Sequence, residues 1–280
     1  EKTSGFPRGF LLSSKTMCLT KKLHIVIDGR LVDNEVVRSE CMDEQRPTIV
    51  LLHQGLGELS QWKDLPRLLC ERLKVDVFSY SRFGHGKSAP FRNDEEPSYL
   101  EVEAVQYLPQ ILAQAKITNP FLVGHSDGAT IALLFGANFP SNLTAAVVVS
   151  PHVFVEELTC NGIKEALVSY KAKGGFYQAL NRKHEDADKL VSRWSKTWLA
   201  PEFSSWSIEE QLIKWKKPLM VVQGDKDEYG SLAQVNAITQ RAKAATKILA
   251  GCGHLPFTER AKQMFTLLVD FYGAVVELNT

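Results

Sequence analysis

The hydrophobic pattern changes period several times along the chain, and each change marks an element. Residues 23–28 and 31–39 alternate apolar and polar positions around Asp28-Gly29, a dipeptide suited to a tight turn, and read as a β-hairpin. Residues 48–53 carry instead an unbroken apolar run, as a parallel strand buried on both faces requires. Further strand-like runs follow at 75–80, 121–123, 145–149 and 219–222, with a last short one at 247–250. Between them the apolar residues fall at helical spacing over 62–73, 99–115, 129–138, 232–242 and 258–272, and Pro109 predicts a kink. Strands alternating with helices predict an α/β fold, a mostly parallel sheet with helices on both faces.

One stretch departs from the alternation. Residues 152–215 are helical in character, polar on average and studded with aromatic residues, including four of the chain's five tryptophans. The expectation is a short helical lid inserted into a core formed by 21–151 and 216–280. Its rings either form a small core of their own or line a pocket, and Trp194 and Trp198 are candidates for the second role. Residues 1–20 lack the basic-then-apolar pattern of a secretory leader, and no structural element is expected there.

Composition narrows the function classes. With 280 residues, 44% of them hydrophobic, the chain is long enough for one α/β domain with an insertion. The 33 basic and 32 acidic residues leave a net charge of +1, so no overall field draws nucleic acid or an anionic membrane. No apolar run reaches the length of a membrane span. The five cysteines are scattered, odd in number and without a Cys-x-x-Cys pair, which points to reduced thiols in a cytoplasm. The expected partner is a small-molecule substrate, with the protein a monomer or homodimer.

The chemistry is concentrated in Gly124-His125-Ser126-Asp127-Gly128, a Gly-x-Ser-x-Gly motif. Alone it is weak, but here it follows a buried strand and opens a helix. A sharp strand-to-helix turn crowds the backbone, demands small residues beside the serine, and lifts its hydroxyl above the sheet. A serine hydroxyl needs a base, and His254, in Gly251-Cys252-Gly253-His254 after the last strand, is the candidate. The histidine needs an acid; Asp225, Asp227 and Glu228 share one loop, and Asp227 is chosen because it lies a few residues past the strand end. Oxyanion donors are expected at the Asp127 N–H and in the loop His53-Gln54-Gly55-Leu56-Gly57, at Gly55. His152, after the strand 145–149, either lines the pocket or anchors the lid. His184, Asp186 and Asp188 read as solvated or capping groups rather than metal ligands, and Cys252 as a packed thiol. No metal, nucleotide or flavin motif is present, and no cofactor is expected.

These motifs, with Ser81-Arg82-Phe83-Gly84-His85-Gly86-Lys87-Ser88, stand in the order found in the α/β-hydrolase superfamily, which the chain resembles from about residue 23 to 272. More narrowly it is similar to bacterial serine hydrolases with a His-Glu-Gly-Leu-Gly-type oxyanion loop and a Ser-Asp-Gly elbow. The segments Gln54 to Glu58, Ser126 to Gly128, Pro151 to Glu156 and Asp227 to Gly230 carry that likeness. Two positions depart from it: Gln54 puts an amide where many relatives have glycine, and Ser81 replaces an acidic residue. The resemblance implies a Ser126–His254–Asp227 hydrolase of small to medium, largely apolar esters or thioesters. A carbon–carbon bond or enol-lactone hydrolase of aromatic catabolism would use the same groups. A non-catalytic ligand-binding relative is the third reading, disfavoured because all three residue types are present.

Overall fold

The computed structural model describes residues 18–39, 46–91 and 99–278. The chain opens with β1 (Cys18–Lys21), a small hairpin of β2 (Val26–Ile27) and β3 (Arg30–Leu31), and β4 (Asn34–Ser39). Next come β5 (Ile49–Leu52), α1 (Leu65–Leu73) and β6 (Val77–Tyr80). α2 (Tyr99–Val102) and α3 (Leu108–Ala115) are the two ends of one helical run, joined by a wider π-type turn over Glu103–Tyr107. β7 (Phe121–His125), α4 (Asp127–Asn138) and β8 (Ala145–Val149) follow. The insertion holds α5 (Glu157–Lys171), α6 (Gly175–Lys183), α7 (Ala187–Leu199) and α8 (Glu209–Leu212). β9 (Leu219–Gly224), α9 (Leu232–Arg241), β10 (Ala245–Leu249), α10 (Pro256–Glu259) and α11 (Ala261–Glu277) complete it.

Among the described residues the main sheet has eight strands in the order β1-β4-β6-β5-β7-β8-β9-β10. From β6 to β10 every pairing is parallel; β4 and β1 are added antiparallel at one edge. Alternate strand residues feed two cores. Val50, Leu52, Leu122 and Val148 pack under α3, α4 and α9, whereas Ile49, Leu51, Val123 and Val147 pack under α1 and α11. A sheet covered on both faces explains why its strands read as continuous apolar runs rather than alternating ones.

Several expectations need correction. The hairpin forms at Asp28-Gly29, whose φ angles of 50° and 74° suit a tight turn, but its strands are two residues each. The alternation over Asn34–Ser39 is spent on pairing with β6 instead. Residues 18–20, where no element is expected, belong to β1, with Cys18 opposite Ser39. An edge strand with mostly exposed side chains leaves no hydrophobic pattern to read. The helix expected over 62–73 starts later: Trp62 closes a 3₁₀ turn (Leu59–Trp62), and α1 begins at Leu65 with Pro66 in its first turn. Pro109 produces no sharp break. Leu108 N–H reaches back to the Glu103 carbonyl, so the turn before the proline widens and spares its ring a clash.

Candidate active site

The loops at the carboxyl ends of β5, β7, β9 and β10 bring four separate parts of the chain together. β7 runs through His125 and α4 begins at Asp127, so Ser126 alone makes the turn between them. It does so at φ 54° and ψ −118°, a conformation that L side chains rarely adopt. The flanking glycines have steric reasons. A Cβ on Gly124 would stand 2.2 Å from the Gly128 carbonyl oxygen, and one on Gly128 only 2.0 Å from that of Leu52. Ser126 N–H is tied to the Val149 carbonyl of β8. The turn is thereby held to the sheet on both sides.

Ser126 Oγ–H donates to His254 Nε2 at 3.0 Å, and His254 Nδ1–H faces both oxygens of Asp227 at 2.9 Å. All three residues are buried. Burial alone would push the Asp227 carboxyl up. The His254 hydrogen bond and charge, with the Tyr229 N–H, outweigh it and hold Asp227 down at about 2. Tyr229 N–H and Gly230 N–H donate to one carboxylate oxygen, and Gln223 Nε2–H to the other, at 2.8 Å. Asp225 instead accepts from Gly251 N–H, bracing the histidine loop, and Glu228 accepts from His254 N–H. Of the three acids in the loop, Asp227 is the one on the imidazole.

Gly55 and Asp127 lie beside Ser126 on the floor of a cavity of about 190 Å³. The first N–H groups of a helix have no partner within it, so that of Asp127, at the start of α4, is open to a ligand. Gln54, Leu56, His152 and Tyr229 also line the space, as does Glu228. Across it stand Ile163 of α5, Phe176 and Leu180 of α6, and Trp194 and Trp198 of α7.

A sequence profile of the Alpha/beta hydrolase family matches residues 49–267. The chain belongs to that family. It is 23% identical over 225 residues to protein bem46 of Schizosaccharomyces pombe, covering 79% of this chain but 63%, less than two thirds, of that one. It is 20% identical over 264 residues to a proline iminopeptidase of Lactobacillus delbrueckii subsp. lactis, covering 81% and 90%. A crystal structure of an alpha/beta hydrolase enzyme from a Medee basin deep-sea metagenome library superposes with a TM-score of 0.71 at 18% identity. That alignment covers 88% of this chain and 96% of the other.

The insertion's rings fall into two groups. Tyr170, Leu180, Ala187 and Val191 form a small core of their own, joined by Leu56. Trp194 and Trp198 face the cavity, and Trp198 is also packed against His152 and Phe203. His152 lines the cavity while its Nε2–H donates to the Tyr229 carbonyl, and burial lowers its pKa so that the ring stays neutral. Asp186 caps α7 through Lys189 N–H, and Asp188 accepts from the Tyr170 hydroxyl. His184 bridges Gly86 N–H and the Leu56 carbonyl. Among the described residues no group of three potential ligands suits a metal. Burial raises the Cys252 thiol to about 11, which fits a packed side chain. The four described cysteines form no disulfide, and Cys41 lies outside the described residues. No described helix is long and apolar enough to cross a membrane. Sequence reasoning missed Gln223, which grips Asp227, and Tyr99, whose hydroxyl donates to Asp127 Oδ2 at 2.6 Å. Neither lies in a motif, and each acts through the tertiary fold.

Proposed function

We propose that this hydrolase cleaves small to medium, largely apolar esters or thioesters through an acyl-enzyme on Ser126, with α5–α7 as its lid. Ser126 Oγ attacks the carbonyl carbon while His254 Nε2 takes its proton, and Asp227 holds the tautomer and stabilises the imidazolium. The oxygen of the tetrahedral intermediate accepts from the Gly55 and Asp127 N–H groups. His254 returns the proton to the leaving alcohol or thiol. Water activated by the same ring then releases the acid and restores Ser126.

The observation that carries this reading is the unbroken run of hydrogen bonds from Ser126 through His254 to Asp227, with the serine lifted on a positive-φ turn. The substrate class follows from the cavity. An apolar void of about 150 Å³ accommodates benzene, so 190 Å³ suits a short acyl chain or a single ring. The described lining holds Glu228 and no Lys or Arg, and the Asp127 carboxylate is turned to Arg82, which favours a neutral ester over an anionic substrate. A fluorophosphonate probe should label Ser126, and p-nitrophenyl esters of two to six or so carbons should be turned over faster than long-chain ones. Ser126→Ala should fold normally and lose at least about a thousandfold in kcat. Labelling at another residue, or undiminished turnover in the alanine variant, would refute the serine mechanism.

A further inference from the structure

Arg82 and Asp127 form an ion pair at 3.4 Å whose side chains are only 5% and 3% exposed. Desolvating two charges costs about what their attraction returns, so stability does not account for such a pair. Its neighbours suggest another use. The pair's contacts are long, whereas Arg82 Nη2–H donates to the Gln54 carbonyl at 2.9 Å. A trans peptide points its C=O and the next N–H in opposite directions. Whatever fixes the Gln54 carbonyl therefore aims the Gly55 N–H. His53 Nδ1–H and Gly57 N–H also reach this oxygen, at 2.8 and 3.0 Å, but both belong to the same loop. His53 Nε2 accepts from Arg82 N–H at 2.9 Å, so the ring ties the loop to the Arg82 backbone, and the Arg82 guanidinium carries the tie on to another element.

That element is the start of α4, where Asp127 supplies the second N–H. Asp127 Oδ2 takes the Arg82 guanidinium and, at 2.6 Å, the Tyr99 hydroxyl. It would stand 3.1 Å from a Cβ on Gly55, with Trp194 Nε1 closer still at 2.7 Å. Tyr99 in turn accepts from Trp198 Nε1–H at 2.9 Å, which fixes the direction of its own O–H. Burial, then the Asp127 charge, raises Tyr99 far above the ordinary phenol range and keeps it a donor.

We propose that Arg82, Asp127 and Tyr99 are positioning residues that hold the Gly55 and Asp127 N–H groups in convergence on one oxygen, and that Trp198 connects this arrangement to α7. The proposal rests on the serine-hydrolase reading above. It makes the Asp127 side chain the link between two donors that come from different strand ends.

The test uses Asp127→Asn, Arg82→Lys and their combination, with Tyr99→Phe as a milder fourth variant. Each is assayed on p-nitrophenyl acetate and with a trifluoromethyl ketone, which forms an anionic adduct with the serine. Misaimed donors weaken the anion and spare the ground state, so kcat should fall about 10- to 100-fold in Asp127→Asn. KM should stay within about threefold, and ketone affinity should fall in step with kcat. The double variant should lose little more than the worse single one, because the pair acts as one unit. A kcat within twofold of wild type, or a loss carried by KM with ketone affinity unchanged, overturns the proposal. Should the Arg82 or Asp127 variants fail to fold, Tyr99→Phe carries the test on the same two readouts. Fluorophosphonate labelling of wild type separates the two levels. No label on Ser126 removes the serine reading itself, whereas a labelled wild type with an unimpaired Asp127→Asn removes only this proposal.

Discussion

Opposed forces act on Asp227, and their balance has a pH signature. Burial favours the neutral acid, while His254 and the Tyr229 N–H favour the carboxylate and win, taking the group from 3.8 to about 2. A carboxyl held lower in the folded state stabilises it fully above the unfolded value and loses that contribution as pH falls through the folded one. The window here is about pH 4 to pH 2, and a shift of this size is worth about 2 kcal/mol. Asp227→Asn should therefore lose about 2 kcal/mol less stability than wild type across that window, read by urea unfolding at each pH, while its kcat near neutrality falls about a thousandfold or more. Parallel stability curves for the two proteins would rule the argument out. At this scale the sequence was informative wherever chemistry and backbone coincide. Ser126 needed small neighbours, and His254 and Asp227 followed strand ends. Gln223 was not legible, because the amide that grips Asp227 reads in sequence as one more residue of a strand.

Leu190, Trp194 and Trp198 recur every four residues along α7 and share one face, yet the two tryptophans serve different ends. Trp194 is half-buried over Gly55, whereas Trp198 is 2% exposed and bonded to Tyr99. Trp194→Ala should open the cavity and shift the preferred acyl chain upward by two or more carbons, with thermal stability little changed. Trp198→Ala should cost about 3–5 kcal/mol, because it leaves a large hole and strips the Tyr99 hydroxyl of a donor. Ester profiling and thermal unfolding of both variants check this, and equal effects on both readouts would contradict the division. The sequence marked residues 152–215 as helical and rich in aromatics, but it could not say where α7 lies or which ring packs and which lines. The same limit hid the widened turn at Glu103–Tyr107. An apolar pattern reports which face is buried, whereas an extra residue in one turn is a response to Pro109 in three dimensions.

Across the whole molecule, the strands and helices were readable because a parallel sheet covered on both faces must be apolar throughout. Their spatial order was not, because it depends on which runs pair across long intervals. That order puts β9 and β10 at one edge, and among the described residues β10 pairs with β9 alone, its first four side chains exposed. Asp227 follows β9 and His254 follows β10, so the expected acid and base stand together at one edge of the sheet. No tryptophan lies in either strand. In urea, activity should vanish at least about 0.5 M before tryptophan fluorescence reports unfolding, if the edge opens locally first. Coincident curves would mean that the edge opens only with the rest. The same arrangement has a consequence during synthesis. Domains generally fold as units, and the groups at 126, 227 and 254 follow β7, β9 and β10 of one sheet, so their geometry forms only after residue 254 has been made. On the proposed mechanism, a chain halted short of residue 254 would hold a nucleophile with no base and be inert toward its substrate.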